Sequence, residues 1–482
     1  MRPSFCSSDG EGARPLPVSV AGALDRWPAA PDHPALVSPF VLHSRQRLSP
    51  GAIVALGFCL LIGLGALLLW LPACAKDGHT SFVDALFTAT SAACVTGLTV
   101  VDTGSHFSPL GKTIILLLIQ AGGLGILTLT SLAALMARRD LGLGQRFSLS
   151  ADLRTGGIRG LRGLVLGVLG FTLAVEGIGA VLLHLTADER LGAGYHRVFA
   201  AGFHAVSAFC NAGFSLYRDN LARFGDAPGP LLVVAGLIMV GGIGFLLSFE
   251  LLGRLRGGRR RLSVQGRLVL TGSLLLWAAG ALLLLWTERA GVLTGQGPGQ
   301  RLLGAFFQSV SCRTAGFDIF PQILLSPAGT LICILLMFIG AAPGSTGGGV
   351  KVSTVSLLVL LLWNYFRGRS RLDLAGRTVP EGVLREALAV LSAGLFLVVG
   401  GTLGILLLAP VAVPVAAFEV VSAFGTVGLS TGLSAQLGAA GKLLLVLIMY
   451  CGRVGLLTVA LGVAGGWRDR HYTLPEEPVM VG

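Results

Sequence analysis

The chain has 482 residues, 53% of them hydrophobic and only 12% charged, with a mean hydropathy of +0.78. A soluble domain carries about 25% charged residues, so this composition excludes one and implies a polytopic membrane protein. The formal net charge of +12 could suit a nucleic-acid partner, but its distribution argues against that. Arginines concentrate in short connections between apolar runs: Arg138, Arg139, Arg146, Arg154, Arg159 and Arg162; Arg254, Arg256, Arg259, Arg260, Arg261 and Arg267; Arg367, Arg369, Arg371, Arg377 and Arg385. Arg45 and Arg47 precede the first run, and Arg468 and Arg470 follow the last. This is the positive-inside pattern, and it places both termini and the three long connections in the cytoplasm.

In chain order, residues 1–46 are rich in Pro, Ser, Gly and charge and read as a disordered cytoplasmic tail without the apolar core of a cleaved signal. Four copies of one plan follow, at 47–140, 141–257, 258–370 and 371–470, and then a cytoplasmic tail at 471–482. Each copy has a spanning helix, a half-length segment that dips into the membrane, and a second spanning helix. Expected helices cover roughly 51–72 and 110–136, 163–186 and 229–252, 266–287 and 326–364, and 384–409 and 439–464. The dips cover roughly 82–97, 197–213, 301–316 and 413–428. The fold class is therefore all-α: four parallel M1-P-M2 repeats around a pseudo-fourfold pore axis, with eight transmembrane helices and four re-entrant pore helices.

The copies share a phrase: a Phe, nine residues, then Gly followed by Leu or Phe. It occurs at Phe87 to Gly97-Leu98, Phe203 to Gly213-Phe214, Phe306 to Gly316-Phe317 and Phe418 to Gly428-Leu429. Six residues before each Gly stand Ser91, Ser207, Val310 and Ser422. The residues just before each Gly have unlike side chains: Val95-Thr96-Gly97, Asn211-Ala212-Gly213, Thr314-Ala315-Gly316 and Thr426-Val427-Gly428. What they share is backbone and a terminal Gly, which points to carbonyl oxygens as ligands for a monovalent cation. The pore helices aim their negative C-terminal dipole ends at the same place. No ring of carboxylates is present to suit a divalent ion.

The second helices carry G-x-x-G at Gly122/Gly125, Gly241/Gly244 and Gly452/Gly455, with Ala341/Gly344 in the third, read as close helix packing. The third second-helix is broken by Gly340-Ala-Ala-Pro-Gly-Ser-Thr-Gly-Gly-Gly349, followed by Lys351. This stretch does not satisfy the phosphate-loop spacing. With no nucleophile–base pair or metal cluster in view, the chain does not read as an enzyme. The cysteines show no metal or disulfide framework. Arg453 lies in the fourth G-x-x-G. It either pairs with a carbonyl or acid to hold helices, or places a positive charge on the cytoplasmic side of the filter; the second reading is preferred. Lys351 either anchors the loop or neutralises an acid. Glu176, in the third spanning helix, reads as a hydrogen-bonding partner, His204 as a packing histidine and Arg313 as a brace beside the third filter.

These phrases together resemble the Trk/Ktr/HKT superfamily of potassium uptake proteins. The resemblance is carried by Ala92-Ala-Cys-Val-Thr-Gly-Leu98, Ser207-Ala-Phe-Cys-Asn-Ala-Gly-Phe214, Arg313-Thr-Ala-Gly-Phe317 and Ser422-Ala-Phe-Gly-Thr-Val-Gly-Leu429, and it extends from about Leu48 to the C-terminus. The ending Pro475-Glu-Glu-Pro-Val-Met-Val-Gly482 resembles the KtrB branch. The resemblance implies K+ uptake across a bacterial cytoplasmic (inner) membrane, with K+ at the filter carbonyls, Na+ as a coupled or competing ion, and no organic cofactor. It implies a homodimer on a cytoplasmic ring of nucleotide-binding, RCK-type regulatory subunits. It also makes Gly344, Ser345, Thr346, Gly347, Gly348, Gly349, Lys351 and Arg453 an intramembrane gate. A weakly selective or Na+-preferring channel is the alternative, opposed by Gly at all four filter positions.

Overall fold

The computed structural model of the chain describes residues 50–137, 158–257, 262–369, 372–374 and 376–455. The expected tails at 1–46 and 471–482, most of the first arginine-rich connection and the end of the last helix beyond 455 lie outside the described residues. The described chain is mostly helical; a two-stranded hairpin pairs Asp373–Leu374 with Arg377–Thr378.

The first copy comprises α1 (Pro50–Leu69), α2 (Phe82–Ala93) and α3 (Pro109–Ala137). The second comprises α4 (Ile158–Thr186), α5 (Gly194–Phe209), α6 (Pro228–Gly242) and α7 (Phe245–Leu255). The third comprises α8 (Val264–Thr287), α9 (Pro298–Ser311), α10 (Pro327–Phe338) and α11 (Val352–Phe366). The fourth comprises α12 (Glu381–Leu408), α13 (Val413–Gly425) and α14 (Ala439–Val454). Local chemistry sets several starts. Ser81, Ser263 and Ser326 cap their helices by accepting from Asp84 N, Gly266 N and Gly329 N, and prolines occupy the first turns of α6, α9, α10 and α13, where no N–H partner is lost.

The first helix of every copy is long and apolar enough to cross a bilayer: the spans are Gly51–Leu69, Val165–Thr186, Val264–Ala290 and Glu381–Leu408. Only 17% to 33% of each window is buried inside the protein, and outward residues such as Leu60, Phe396 and Leu407 are apolar, so these helices expose a hydrocarbon face. The second helix of the second copy differs from the sequence expectation of a straight span. The expected helix at 229–252 is broken, α6 and α7 meeting at 104°. Its cause is Gly244, whose φ of +85° lies outside the helical region. The break between α10 and α11 falls where the glycine cluster predicts one.

Each short helix packs on its own copy's first helix and also on the second helix of the preceding copy. Thus α5 meets α3, α9 meets α6, α13 meets α10, and α2 meets α14. The last contact joins the fourth copy back to the first. The core follows the same order, with Phe87, Phe203, Phe307 and Phe418 fully buried. In the third copy Phe307 takes the place expected of Phe306, which is only partly buried. That copy is one residue shorter between its buried Phe and its Gly.

Candidate ion filter and gate

The four glycines of the repeated phrase converge. A methyl group built on Gly97 would stand 3.0 Å from Gly213 Cα; on Gly213, 3.0 Å from Gly316 Cα; on Gly316, 3.0 Å from Gly428 Cα; and on Gly428, 3.0 Å from Gly97 Cα. The order is cyclic and closes. In each case the built methyl also collides with, or closely approaches, the carbonyl oxygen of the residue before the neighbouring glycine: Ala212, Ala315, Val427 or Thr96. No side chain fits at these positions, so the ring is lined by backbone.

A second regularity was not legible in the sequence. Besides the glycines, at φ +93°, +68°, +75° and +98°, the residue two before each has positive φ: Val95 at +56°, Asn211 at +59°, Thr314 at +70° and Thr426 at +49°. Three of these are β-branched, for which this conformation is a true outlier costing about 1–3 kcal/mol each. The surrounding hydrogen bonds hold it. Ser91 O accepts from Thr96 N (2.7 Å) and Ser91 Oγ from Gly97 N (3.0 Å). Ser422 O accepts from Val427 N (2.8 Å) and its Oγ from Gly428 N (3.0 Å). Ser207 O accepts from Ala212 N (2.7 Å), while its hydroxyl donates to Phe214 O (2.8 Å). In the third copy this role falls to Ser311, whose carbonyl accepts from Ala315 N and whose hydroxyl donates to Phe317 O; Val310, expected there from spacing, is an apolar core residue. The one-residue shortening explains the shift.

The segment between α10 and α11 lies directly against this ring. Ile339 and Val350 form a parallel bridge, with Gly340 N donating to Val350 O at 2.8 Å, so the segment is a closed loop. Gly348 N donates to Thr426 Oγ1 at 2.9 Å, and a methyl on Gly347 would overlap Thr314. Thr346 Oγ1 donates to Phe209 O at 3.3 Å, at the end of α5. Ala342 N donates to Gly242 O (3.0 Å) and Phe245 N to Gly344 O (3.2 Å), which fastens the loop to both sides of the α6–α7 break.

Three cations meet the loop. Arg453, 3% exposed, donates through Nη1 to Thr346 O and through Nη2 to Gly122 O (2.7 Å). Arg453 thus bonds two carbonyls, as the first sequence reading has it, and one of them belongs to the loop. Lys351 Nζ donates to Gly347 O at 2.7 Å, anchoring the loop to its own exit. Arg313 Nη2 donates to Gly340 O at 2.9 Å, and its guanidinium lies 5.7 Å from the Trp277 ring. Among the described residues, the loop therefore touches the filter or second helix of the second, third and fourth copies, and Arg453 links it to Gly122 of the first.

The remaining polar residues brace the ring from behind. Glu176 accepts from Gln120 Nε2 (3.3 Å) and Cys210 Sγ (3.7 Å), joining α3, α4 and the end of α5. His204 Nδ1 donates to Ala200 O (2.7 Å), while Nε2 accepts from Ser215 Oγ (3.1 Å) and Leu216 N (3.4 Å). Glu419, fully buried in α13, accepts from Ser430 Oγ, Thr431 N, Ser434 N and Ser434 Oγ. Sequence reasoning missed Glu419, although an acid within a half-length apolar segment was a usable signal. On the surface of the second copy, Arg190 pairs with Asp226 and holds that carboxyl below its usual range. No group of His, Cys, Asp and Glu able to hold a metal ion occurs among the described residues.

The chain is similar to known transport proteins over most of its length. The Potassium/sodium uptake protein NtpJ of Enterococcus hirae is 37% identical over 446 residues, covering 91% of this chain and 98% of that protein. The Ktr system potassium uptake protein B of Bacillus subtilis is 37% identical over 420 residues, covering 87% and 94%. The crystal structure of the potassium transporter TrkH from Vibrio parahaemolyticus superposes with a TM-score of 0.70 at 22% identity, covering 87% of this chain and 86% of that one, which shows a shared fold. The profile of the TrkH family, described as cation transport proteins, matches residues 52–465. That match takes in all four ring glycines and the loop beneath them, and the chain belongs to the TrkH family of cation transport proteins.

Proposed function

We propose that this chain takes up potassium ions across the bacterial cytoplasmic membrane, through the backbone ring at Gly97, Gly213, Gly316 and Gly428. The single observation that carries this reading is the closed cyclic order of the four glycines. Four backbone strands around one axis offer rings of carbonyl oxygens that replace the hydration shell of a monovalent cation. The paired positive φ values in each strand keep that backbone in one strained conformation in all four copies. The names of the Enterococcus hirae and Bacillus subtilis relatives support potassium as the ion, and the first supports sodium as a second or coupled ion.

The loop from Gly340 to Lys351 is the gate in this reading. It lies against Thr314 and Thr426, two residues before their ring glycines, where it obstructs the path of an ion leaving the ring. Arg453 holds it from the fourth copy and Gly242/Phe245 from the second. The four copies act as M1-P-M2 repeats about a pseudo-fourfold axis. Two chains form a homodimer on a ring of cytoplasmic nucleotide-binding (RCK-type) subunits that moves the gate. The family resemblance supports this assembly, and the connection leaving α7 toward the arginine-rich cytoplasmic segment gives a subunit below a route to the loop.

The test is growth of a bacterium lacking its own potassium uptake on low-potassium medium, with and without sodium, while expressing this chain and its regulatory subunit. Rescue that depends on potassium is expected. Absence of rescue despite membrane expression contradicts the reading.

A further inference from the structure

The geometry points to Asp84 and Lys442 as positioning residues for ion selection: their pairing holds the first strand of the ring in register with the fourth. This rests on the proposed passage of potassium through that ring. Lys442 Nζ donates to Asp84 Oδ1 at 2.7 Å, with Lys442 15% and Asp84 20% exposed. The pair joins the fourth copy to the first across 358 positions of the chain. Arg190–Asp226, Arg223–Asp219 and Arg385–Glu381, by contrast, each lie within one copy. The other three junctions of the cycle join copies that follow one another in sequence; the fourth-to-first junction does not. Three residues before the buried Phe of each short helix stand Asp84, Ala200, Gly304 and Val415. The acid falls at the one junction that lacks a direct chain connection.

Both helices that carry the pair also position the ring. Near its end, α2 presents Ser91, which accepts from Thr96 N and Gly97 N. The helix α14 backs α13, where a methyl on Gly452 would collide with Phe424 O, and α13 holds Val427 and Gly428 through Ser422. The two strands meet where a methyl on Gly428 would collide with Thr96 O. Apolar side chains fill the rest of the junction, with Phe87 and Leu98 in one cluster with Leu445 and Met449. Apolar contact is non-directional and permits sliding, whereas a charge-assisted hydrogen bond fixes a geometry. The carboxylate is aimed by its own helix cap: Ser81 Oγ donates to Asp84 Oδ2 at 2.7 Å and accepts from Asp84 N at 3.1 Å, which leaves Oδ1 to Lys442. Lys112 is the fourth residue of α3 as Lys442 is of α14, and both follow a Gly. The short helix that packs on α3 carries Ala200 where Asp84 stands in α2, so Lys112 supplies a matched control.

The experiment is the ratio of K+ to Na+ uptake rates in cells lacking other uptake systems, expressing the chain with its regulatory subunit, for variants matched by amount in the membrane. A role confined to stability changes that amount and leaves the ratio alone. Asp84→Asn and Lys442→Gln should each lower the ratio about threefold, as the loss of one partly buried ion pair implies. Lys442→Arg, which keeps the charge, should retain the wild-type ratio. The double variant Asp84→Asn/Lys442→Gln leaves neither charge unpaired, so its ratio should fall less than the two single effects multiplied. Lys112→Gln should leave the ratio unchanged. Where Asp84→Asn does not reach the membrane, because Asp84 also serves the helix cap, Lys442→Gln carries the test. A Lys442→Gln protein with the wild-type ratio overturns the assignment while leaving potassium passage intact. An equal fall in Lys112→Gln reduces the effect to lost positive charge and overturns it as well. A wild type that carries no potassium at all overturns the underlying reading and this one with it.

Discussion

Single residues around the ring do separate jobs, and the hydrogen bonds distinguish them. Arg453 joins Thr346 O of the loop to Gly122 O of the first copy. Bonds from a charged donor are each worth about 1.5–3 kcal/mol. Arg453→Gln removes the charge and at least one of these bonds, so K+ uptake without stimulation by the regulatory subunit should rise about tenfold, a shift of about 1.4 kcal/mol in the closed–open balance. Thr426→Val tests the same closure from above. It keeps the β-branched shape and removes only the hydroxyl that accepts from Gly348 N. A smaller rise, about threefold, is expected, consistent with one neutral hydrogen bond. Uptake in both variants equal to wild type would separate Arg453 and Thr426 from gating. The sequence showed that Arg453 was an anomaly, because a charge inside an apolar helix needs a partner. The resemblance grouped it with the loop as one gate, and the folded chain shows the bond itself, to Thr346 O over a hundred positions away.

At the scale of elements, the loop between α10 and α11 was legible from its Pro and Gly content, whereas the α6–α7 break was not. The residues Gly241-Gly242-Ile243-Gly244 resemble the packing glycines of the other second helices. Only the folded chain, with Gly244 at φ +85° and the helices on either side at 104°, reveals a turn there. The two breaks are bonded to each other through Ala342 N to Gly242 O and Phe245 N to Gly344 O. They should move together. Gly244→Ala places a methyl at φ +85° and 3.1 Å from Pro343 O. The strain of about 1–2 kcal/mol should loosen the loop and raise unstimulated uptake several-fold. Gly236→Ala, with nothing within 4 Å, should leave uptake unchanged. Deletion of residues 344–349 should raise uptake and abolish control by the regulatory subunit; fully regulated uptake in the deletion would remove the loop from the mechanism. The brace at Glu419 predicts a stability effect instead. Glu419→Ala leaves the buried donors of Ser434 and the partly buried Thr431 N–H unmet, costing about 2–3 kcal/mol. Thermal denaturation of the purified protein should begin several degrees earlier, and an unchanged midpoint would show that water replaces the carboxylate.

At the scale of the whole molecule, one phrase recurs four times in the sequence, and its recurrence was readable because each copy keeps a Gly at a position where the neighbouring strand leaves no room for a side chain. The spacing from Phe to Gly also exposed the limits of that reading. It paired Phe306 and Val310 with the other copies, whereas the folded third copy uses Phe307 and Ser311, one residue later. A missing residue inside a helix is absorbed by rotation about its axis, which leaves no mark on composition. The positive φ values of Val95, Thr314 and Thr426 were hidden for a related reason: β-branched residues disfavour that conformation, and hydrogen bonds to a serine near the end of each short helix hold it. The ring is thus a property of four copies together, and its selectivity should fail when any one is altered. Serine at a ring glycine adds a side chain where the neighbouring strand already stands, at φ values that oppose it. The most direct measurement is the ratio of K+ to Na+ uptake rates in cells lacking other uptake systems, for wild type and for Gly97→Ser, Gly213→Ser, Gly316→Ser and Gly428→Ser, each checked for membrane insertion. A ratio strongly favouring K+ in the wild type, reduced about tenfold or more in every variant, is the predicted result. Four inserted variants with the wild-type ratio would contradict passage through the ring.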